Sequence, residues 1–370
     1  MATIQDVARH AAVSVSTVSN VLNGRTDRMR AETLARVNAA IETLRFRPSK
    51  LAQQLKTGHT PLLGLLVPSM TNPMYGHIAR EVEAAAQARH GHRLLIASTH
   101  RDPAQEAAFF DDLLSQGVRR VIVISSLADE LHFESAAARG MAVVSYDRRA
   151  TPGRRTSVGH ITPDNFEAAR LATQHLIDHG HRQIAFATVA GMTMSRSAKI
   201  AGFQGAADAA GLRESALVLD GGALNEYGDA VIAEVGRAMG LKLAADAQRP
   251  TGIVALNDLM ALGLMAGLRE GGVVVPQQVS VVGIDGLFLS ALANPPLTTV
   301  QLPVREMALA MVALAMNPAP EGEASAHEQV FAPAGLVQRG SVAAPPAASG
   351  SGRAAKAGAG SGGSSQSNRS

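Results

Sequence analysis

Near the N-terminus the apolar residues Ile4, Val7, Ala8 and Ala11 recur at helical spacing, so they line one face of a helix spanning roughly Ile4 to Ala11. After a short break, Val18, Val21 and Leu22 repeat the spacing, and Gly24 stands where a helix C-terminal cap belongs. A third stripe, Leu34, Val37, Ala40, Ile41 and Leu44, runs toward Pro48, which stops it. Three short helices can share one small core. SKLAQQLKTG follows, with Ser49 as N-cap and Leu51, Ala52 and Leu55 as an apolar stripe; it is too short to hold a helix alone in water. From Pro61 onward the pattern changes. Strand-like runs (LLGLLVP, HRLLIAST, RRVIVIS, AVVSY, RQIAFAT, GIVALN, VSVVGID) alternate with amphipathic stretches such as HIAREVEAAAQARHG and NFEAARLATQHLIDHG, which predicts parallel sheets covered by helices. HGHR occurs at His90 to Arg93 and again at His179 to Arg182, each time where a helix gives way to a strand, so two similarly built lobes are expected. Its glycine reads as a helix cap rather than as part of a metal site. After Val342 the composition collapses to Ala, Gly, Ser and Pro, and a disordered tail is expected over 342–370.

Charge divides unevenly along this frame. Residues 1 to 60 hold nine Lys/Arg against four Asp/Glu, while the whole 370-residue chain is only +3, so the basic excess sits in the first segment. A basic head on a mildly acidic body points to a polyanion-binding module joined to something with another task. The second helix fits that module. Its inner face is Val18, Val21 and Leu22, and its outer face offers Ser16, Thr17, Asn20 and Asn23. Two helices separated by a tight turn, the second presenting small polar groups, describe a helix-turn-helix. Small side chains let that helix sink into the major groove, where Asn can pair with adenine, and Ser14 and Thr17 at its start can reach phosphates. The stripe around Leu55 fits two readings equally on spacing alone, an ordinary linker or a helix that folds against a partner with Leu55 as an apolar wedge in the minor groove. The absence of cysteine excludes thiol catalysis and cysteine zinc sites. No apolar run is long enough to span a bilayer and no secretory signal is visible, so a cytoplasmic protein is expected, nucleoid-associated when on DNA.

The segments TIQDVARHAAVSVSTVSNVLNG, RFRPSKLAQQL, GHRQIAF, LNDLMALG and VSVVGIDG with PPLTTV follow one another in an order that resembles the LacI/GalR family of transcriptional regulators, over Thr3 to Val342. The resemblance implies an N-terminal all-α helix-turn-helix domain (1–48), a hinge helix and linker (49–60), and a two-lobed α/β periplasmic-binding-protein-like domain (61–341). It implies a homodimer on a palindromic operator. Val15, Ser16 and Asn20 would then face base edges; Thr3, Ser14, Thr17 and Asn23 would lie near the DNA backbone; and paired hinge helices would bring Ala52, Leu55 and Lys56 to the minor groove.

By the same resemblance, a small-molecule effector is held between the lobes by Asn72, Tyr75, Asp147, Asp164, Arg196, Lys199, Asp258 and Asp285. Carboxylates and amides suit a hydroxyl-rich compound, namely a sugar, sugar acid or nucleoside-like metabolite. Asp258 is equally placed to cap the helix beginning at Leu259; Asp285 could hold the turn before Gly286, but its place after a buried strand favours the cleft. Lys199 stands where relatives carry Arg, with Arg196 nearby as a substitute. Ala223 and Leu224 stand where relatives carry a stacking aromatic, which leaves Tyr75 and Tyr146. The expected function is a DNA-binding regulator, most simply a repressor, with no cofactor, no metal and no membrane partner. The alternatives are a nucleoid protein without effector, a soluble binding protein, or an enzyme. The enzyme reading lacks both a Gly-rich dinucleotide fingerprint and a Ser-His-Asp setting.

Overall fold

The computed structural model describes residues 2–22, 24–26, 29–46, 61–100, 102–125, 131–190, 193–222, 230–318, 322–323 and 327–347. The expected hinge helix, with Ala52, Leu55 and Lys56, and also Asn23, Ala223 and Leu224, lie outside them. At the N-terminus α1 (Ile4–His10), α2 (Val15–Leu22) and α3 (Ala31–Thr43) enclose one core of Val7, Ala8, Ala11, Val18, Val37 and Ala40. These are the positions the apolar spacing marks. Thr3 closes a capping box on α1, its Oγ1 accepting from the Asp6 amide while Asp6 Oδ2 accepts from the Thr3 amide (2.9 Å). Ser14 caps α2, accepting the Thr17 amide at 3.2 Å.

The body begins with β1 (Leu62–Val67), α4 (Pro73–His90), β2 (Arg93–Ser98), α5 (Pro103–Ser115), β3 (Arg120–Ile124), α6 (Leu131–Ala138), β4 (Ala142–Tyr146), β5 (Arg155–Thr156) and β6 (Gly159–Pro163). It continues through α7 (Asn165–Asp178), β7 (Ile184–Thr188), α8 (Met194–Ala209), β8 (Ala216–Asp220), α9 (Ala230–Ala244), β9 (Gly252–Ala255), α10 (Asp258–Glu270), β10 (Ser280–Asp285) and α11 (Leu289–Leu292). The last elements are β11 (Thr298–Gln301), α12 (Val304–Met316), β12 (Gly322–Glu323), β13 (Glu328–Phe331) and β14 (Gly335–Val337). All seven expected strand runs are strands. Most of the additional ones, such as β6, β11 and β13, are too short or too polar to stand out by composition.

Among the described residues the strands form two large sheets, ordered β13-β6-β4-β3-β1-β2 and β14-β11-β10-β9-β7-β8. Every pairing in the first is parallel; in the second only β11 with β14 is antiparallel. Helices cover both faces, so the central strands are almost wholly buried, as their continuous apolar runs require. The chain crosses between sheets three times: from β6 into α7, from β11 into α12, which packs on α4 and β6, and from β13 to β14. The crossovers are tied to one another, the Asp164 amide donating to the Phe331 carbonyl and the Ala334 amide to the Gln301 carbonyl, each at 2.8 Å. Two lobes joined by three bonded crossings make a hinge with a cleft between them.

The expected tail begins too early. Val342 packs on the main core, and the Ala343 amide donates to Ser280 Oγ at 3.1 Å. His181 holds the same residue from the other side. A carbonyl only accepts, so Nε2 donates to Ala343 O (3.0 Å), and in the neutral ring Nδ1 accepts from the Thr251 hydroxyl (2.9 Å). Burial, more than any other influence, holds the His181 pKa below its ordinary 6.5, and does the same for His175. A depressed folded-state value contributes stability that is present above pH 6.5 and lost as pH falls through the folded value. Buried carboxyls with raised pKa values, such as Asp258, act in the opposite sense. The readout is therefore a difference: between about pH 7.5 and about pH 5 the melting temperature of His181→Gln should decline less than that of the unmodified protein. Identical declines would remove His181 as a source of the pH dependence.

Candidate functional site

Between the lobes, where the carboxyl ends of the two parallel sheets face each other, lies a cavity of about 330 Å³. Of the eight residues expected there, Asn72, Tyr75, Asp147, Arg196, Lys199 and Asp285 line it. Asn72 follows β1 and caps α4, its Oδ1 accepting the Met74 amide at 2.9 Å, which leaves its amide NH₂ as the group available to a ligand. Asp147 follows β4 and Asp285 ends β10; both have left-handed backbones, with φ of 62° and 137°. The value at Asp285 lies in a region that side chains rarely adopt, so the fold holds backbone strain to aim this carboxylate. The next residue, Gly286, is left-handed too, and a Cβ there would lie 2.9 Å from the Gln301 Cα.

Around Asp147 the site is already wired. Asn165 Nδ2 donates to its Oδ1 at 2.9 Å, and Lys199, itself buried, donates to the Leu256 carbonyl at 3.2 Å while its charge acts on Asp147. Burial raises the Asp147 pKa, and the Lys199 charge with hydrogen bonds from Asn165 and Ser195 opposes the rise. Tyr146 lies on the cavity wall near both carboxylates; burial first, then Asp147 and Asp285, keep its hydroxyl protonated. Arg196 lies in the first turn of α8 and donates to the Ala190 carbonyl at 2.9 Å. Paired carboxylates, amides, two tyrosines and a buried ammonium form a surface that exchanges many hydrogen bonds, as a ligand dense in hydroxyls requires.

Two of the expected residues are displaced by one position. Asp164 caps α7, accepting the Glu167 amide at 2.9 Å, and its neighbour Asn165 lines the cavity instead. Asp258 does not line the cavity either, nor does it cap α10. Asn257 does both, accepting the Met260 amide at 2.9 Å, while the buried Asp258 carboxylate accepts from Thr299 Oγ1 (2.5 Å), Ser290 Oγ (2.6 Å) and the Leu287 amide (2.8 Å). In each Asp-Asn or Asn-Asp pair at a helix start, the amide faces the cleft and the carboxylate holds the fold. Ser125, Arg148 and Ser195 also line the cavity; their signal was their place just beyond a strand or in the first turn of a helix.

In the N-terminal bundle, Val15, Ser16 and Asn20 form an exposed face of α2, with Val15 42% exposed despite being apolar. Thr17 is half-buried and exchanges a 2.9 Å hydrogen bond with Ser14. Thr3 is exposed at the start of α1. A small helical head with a polar outer face, carried by a two-lobed body with a polar cleft, defines the ligand-responsive class of helix-turn-helix transcriptional regulators.

Comparison with known proteins specifies the family. Residues 3–49 match bacterial regulatory proteins of the lacI family, and residues 173–342 match a periplasmic binding protein-like domain. The HTH-type transcriptional regulator DegA of Bacillus subtilis is 31% identical over 82% of this chain and 88% of its own. The HTH-type transcriptional regulator GalR of Escherichia coli K12 is 30% identical over 93% and 97%. The crystal structure of the Lac repressor dimer bound to operator and the anti-inducer ONPF superposes with a TM-score of 0.77 and 25% identity, covering 93% of this chain and 99% of that one. The chain belongs to the LacI family of DNA-binding transcriptional regulators. Among the described residues no helix is long and apolar enough to cross a membrane.

Proposed function

We propose that the protein is a homodimeric repressor whose affinity for a palindromic operator is set by a small polar metabolite (a sugar, sugar acid or nucleoside-like compound) closing the cleft. The observation that carries this reading is the cavity itself: six polar or aromatic residues expected from the sequence converge on it from both lobes. Similarity adds support, since relatives include an HTH-type transcriptional repressor, PurR, of Aliivibrio fischeri at 32% identity over 83% of this chain and 88% of its own. Self-association is supported by the edge of the first lobe, where exposed Met70 and Ile96 border an apolar groove with Val67, Tyr75 and Ala79. On this reading Ser16 and Asn20 contact bases, Ser14 and Thr17 contact phosphates, and segment 49–60 supplies the hinge. Closure changes the separation of the two heads, and the effector acts only through its differential affinity for the two arrangements.

Genome-wide mapping of the bound protein tests the DNA part: a few palindromic sites beside metabolic genes support it, and broad occupancy without a motif rejects it. The cleft is tested by thermal-shift screening of sugars, sugar acids and nucleosides, followed by calorimetry on the compounds that bind. Asp285→Ala is expected to weaken binding of such a compound about tenfold or more, because hydrogen bonds to a charged acceptor are among the stronger ones, while operator affinity without ligand stays the same. Unchanged ligand affinity in this variant would place the effector elsewhere.

A further inference from the structure

HGHR occurs once in each lobe, but its arginine is used differently in the two. Arg182, ahead of β7, turns back and donates to the Ile177 and His181 carbonyls at 3.2 and 3.1 Å. Arg249, ahead of β9, is tied down in the same way, to the Ala244 and Asp246 carbonyls at 3.4 and 3.0 Å. Arg93, which opens β2 in the first lobe, is exposed, and its side chain makes no hydrogen bond or ion pair with a described residue; the same holds for the half-buried Arg119 just ahead of β3.

These two arginines are neighbours in the sheet. Leu62 of β1 pairs with Arg93, and Gly64 pairs with Val121 of β3, so the register carried back two residues puts Arg119 level with Leu62 on its other side. Two strand spacings set Arg93 and Arg119 about 10 Å apart. Arg120 adds a third guanidinium, whose Nε is buried without a hydrogen-bond partner. Opposing charge is scarce: Asp111 is paired with Arg139 at 2.6 Å, which leaves Asp112 as the other carboxylate toward this end of α5. Cations left side by side repel one another, and the second lobe shows how the fold ties such groups down; facing a polyanion, the same cations attract it.

This edge is where the chain arrives from the head. All pairings in the first sheet are parallel, so the amino ends of its strands share one edge, opposite the cleft. The Pro61 carbonyl accepts the Arg93 amide there at 3.0 Å, directly after segment 49–60, which carries Lys50 and Lys56 and no acidic residue. Six residues separate Lys56 from Leu62, so the two lie at most about 20 Å apart. The amino edge of the second lobe, where Arg182 and Arg249 are tied down, lies beyond the cleft.

Building on the reading of segment 49–60 as a hinge on DNA, we propose that the amino edge of the first lobe is itself a DNA contact: Arg93 and Arg119, on either side of the chain's entry, each bind a backbone phosphate of the duplex that the hinge occupies. The forked guanidinium matches two phosphate oxygens at once. Such contacts carry no sequence information; they hold the body, and not only the head, in register on the duplex.

The test is a titration of full-length protein, by fluorescence anisotropy, against the duplex that in vitro selection recovers from random sequence, from about 50 to about 300 mM KCl. Arg93→Ala and Arg119→Ala each remove one phosphate contact per protomer, so in a homodimer each should lower the slope of log K against log salt by about 2, and the double variant by about 4. Arg93→Lys keeps the charge and should keep most of the slope. Arg213→Ala, at an exposed arginine of the second lobe, should leave it unchanged. Ethylation interference should reveal, on each side of the palindrome centre, a phosphate whose modification weakens binding of the unmodified protein and not of Arg93→Ala. An unchanged slope in the double variant would overturn the inference while leaving the hinge reading intact. So would an affinity that falls by the same factor at every salt concentration, which would mean that the arginines hold the hinge segment and not DNA. Failure of the unmodified protein to select or bind any duplex would reject the DNA reading and the inference with it.

Discussion

Asp258→Ala should destabilise the second lobe by about 3–5 kcal/mol, read as a lowered denaturation midpoint. The carboxylate is buried and accepts three hydrogen bonds, from Thr299, Ser290 and the Leu287 amide, which tie α10 to β11, to α11 and to the turn before α11. Truncation leaves all three donors without that acceptor in a place water does not reach. Asp258→Asn should cost much less. The side chain keeps one acceptor oxygen, and the hydroxyl of Thr299 or Ser290 can rotate to receive its NH₂. The charge is also costly to keep: burial raises the Asp258 pKa, so this group's contribution is full below its ordinary 3.8 and declines as pH rises through the folded value. The amide avoids that decline. Equal losses for alanine and asparagine would show that the network requires the carboxylate with acceptors on both oxygens, and that an amide of the same shape cannot replace it.

The second large effect is expected at the contact of α9 with α10. Gly236 and Gly240 on one helix face Gly263 and Gly267 on the other, and the backbones touch: a Cβ added at Gly263 would overlap the Ala233 carbonyl oxygen, and one at Gly267 the Arg237 carbonyl oxygen. Neither partner atom can move without moving its helix. Gly263→Ala gains about 1 kcal/mol of helix propensity, yet it should be destabilising by about 2 kcal/mol net, because the helices must separate and lose packing along their length. Gly76 supplies the control. It lies in α4 with open space for 4 Å around the point a Cβ would occupy, so Gly76→Ala should stabilise by about 0.5–1 kcal/mol. Urea denaturation of both variants decides the matter: stabilisation by Gly263→Ala would mean that the helix pair tolerates a wider spacing.

These two sites explain why distant segments of the sequence belong together. LNDLMALG contributes Asp258, and VSVVGIDG contributes Gly283 opposite it, where a Cβ would overlap the Asp258 carboxylate. The same VSVVGIDG segment ends on the strained Asp285 and on Gly286, which the neighbouring Gln301 backbone keeps free of a side chain. One short segment thus supports the carboxylate network beneath the sheet and presents a carboxylate to the cleft.

What the sequence determined by itself was everything that depends on local periodicity. Apolar residues at helical spacing marked the bundle core of Val7, Val18 and Val37, and continuous apolar runs marked the buried strands, because burial of a face is encoded in the order of neighbouring residues. Resemblance to the family, and not periodicity, marked Asn72, Asp147 and Asp285, which follow strands whose ends open toward the cleft. Only the tertiary structure decided which member of Asp164-Asn165 and of Asn257-Asp258 faces the cavity, since adjacent residues at a helix start point in different directions and periodicity assigns neither. It alone returned α12 and β13 to the first lobe and docked Ala343 against His181, across separations of more than a hundred residues. Those choices rest on which surfaces fit together, and complementarity between remote segments leaves no mark in the spacing of either one.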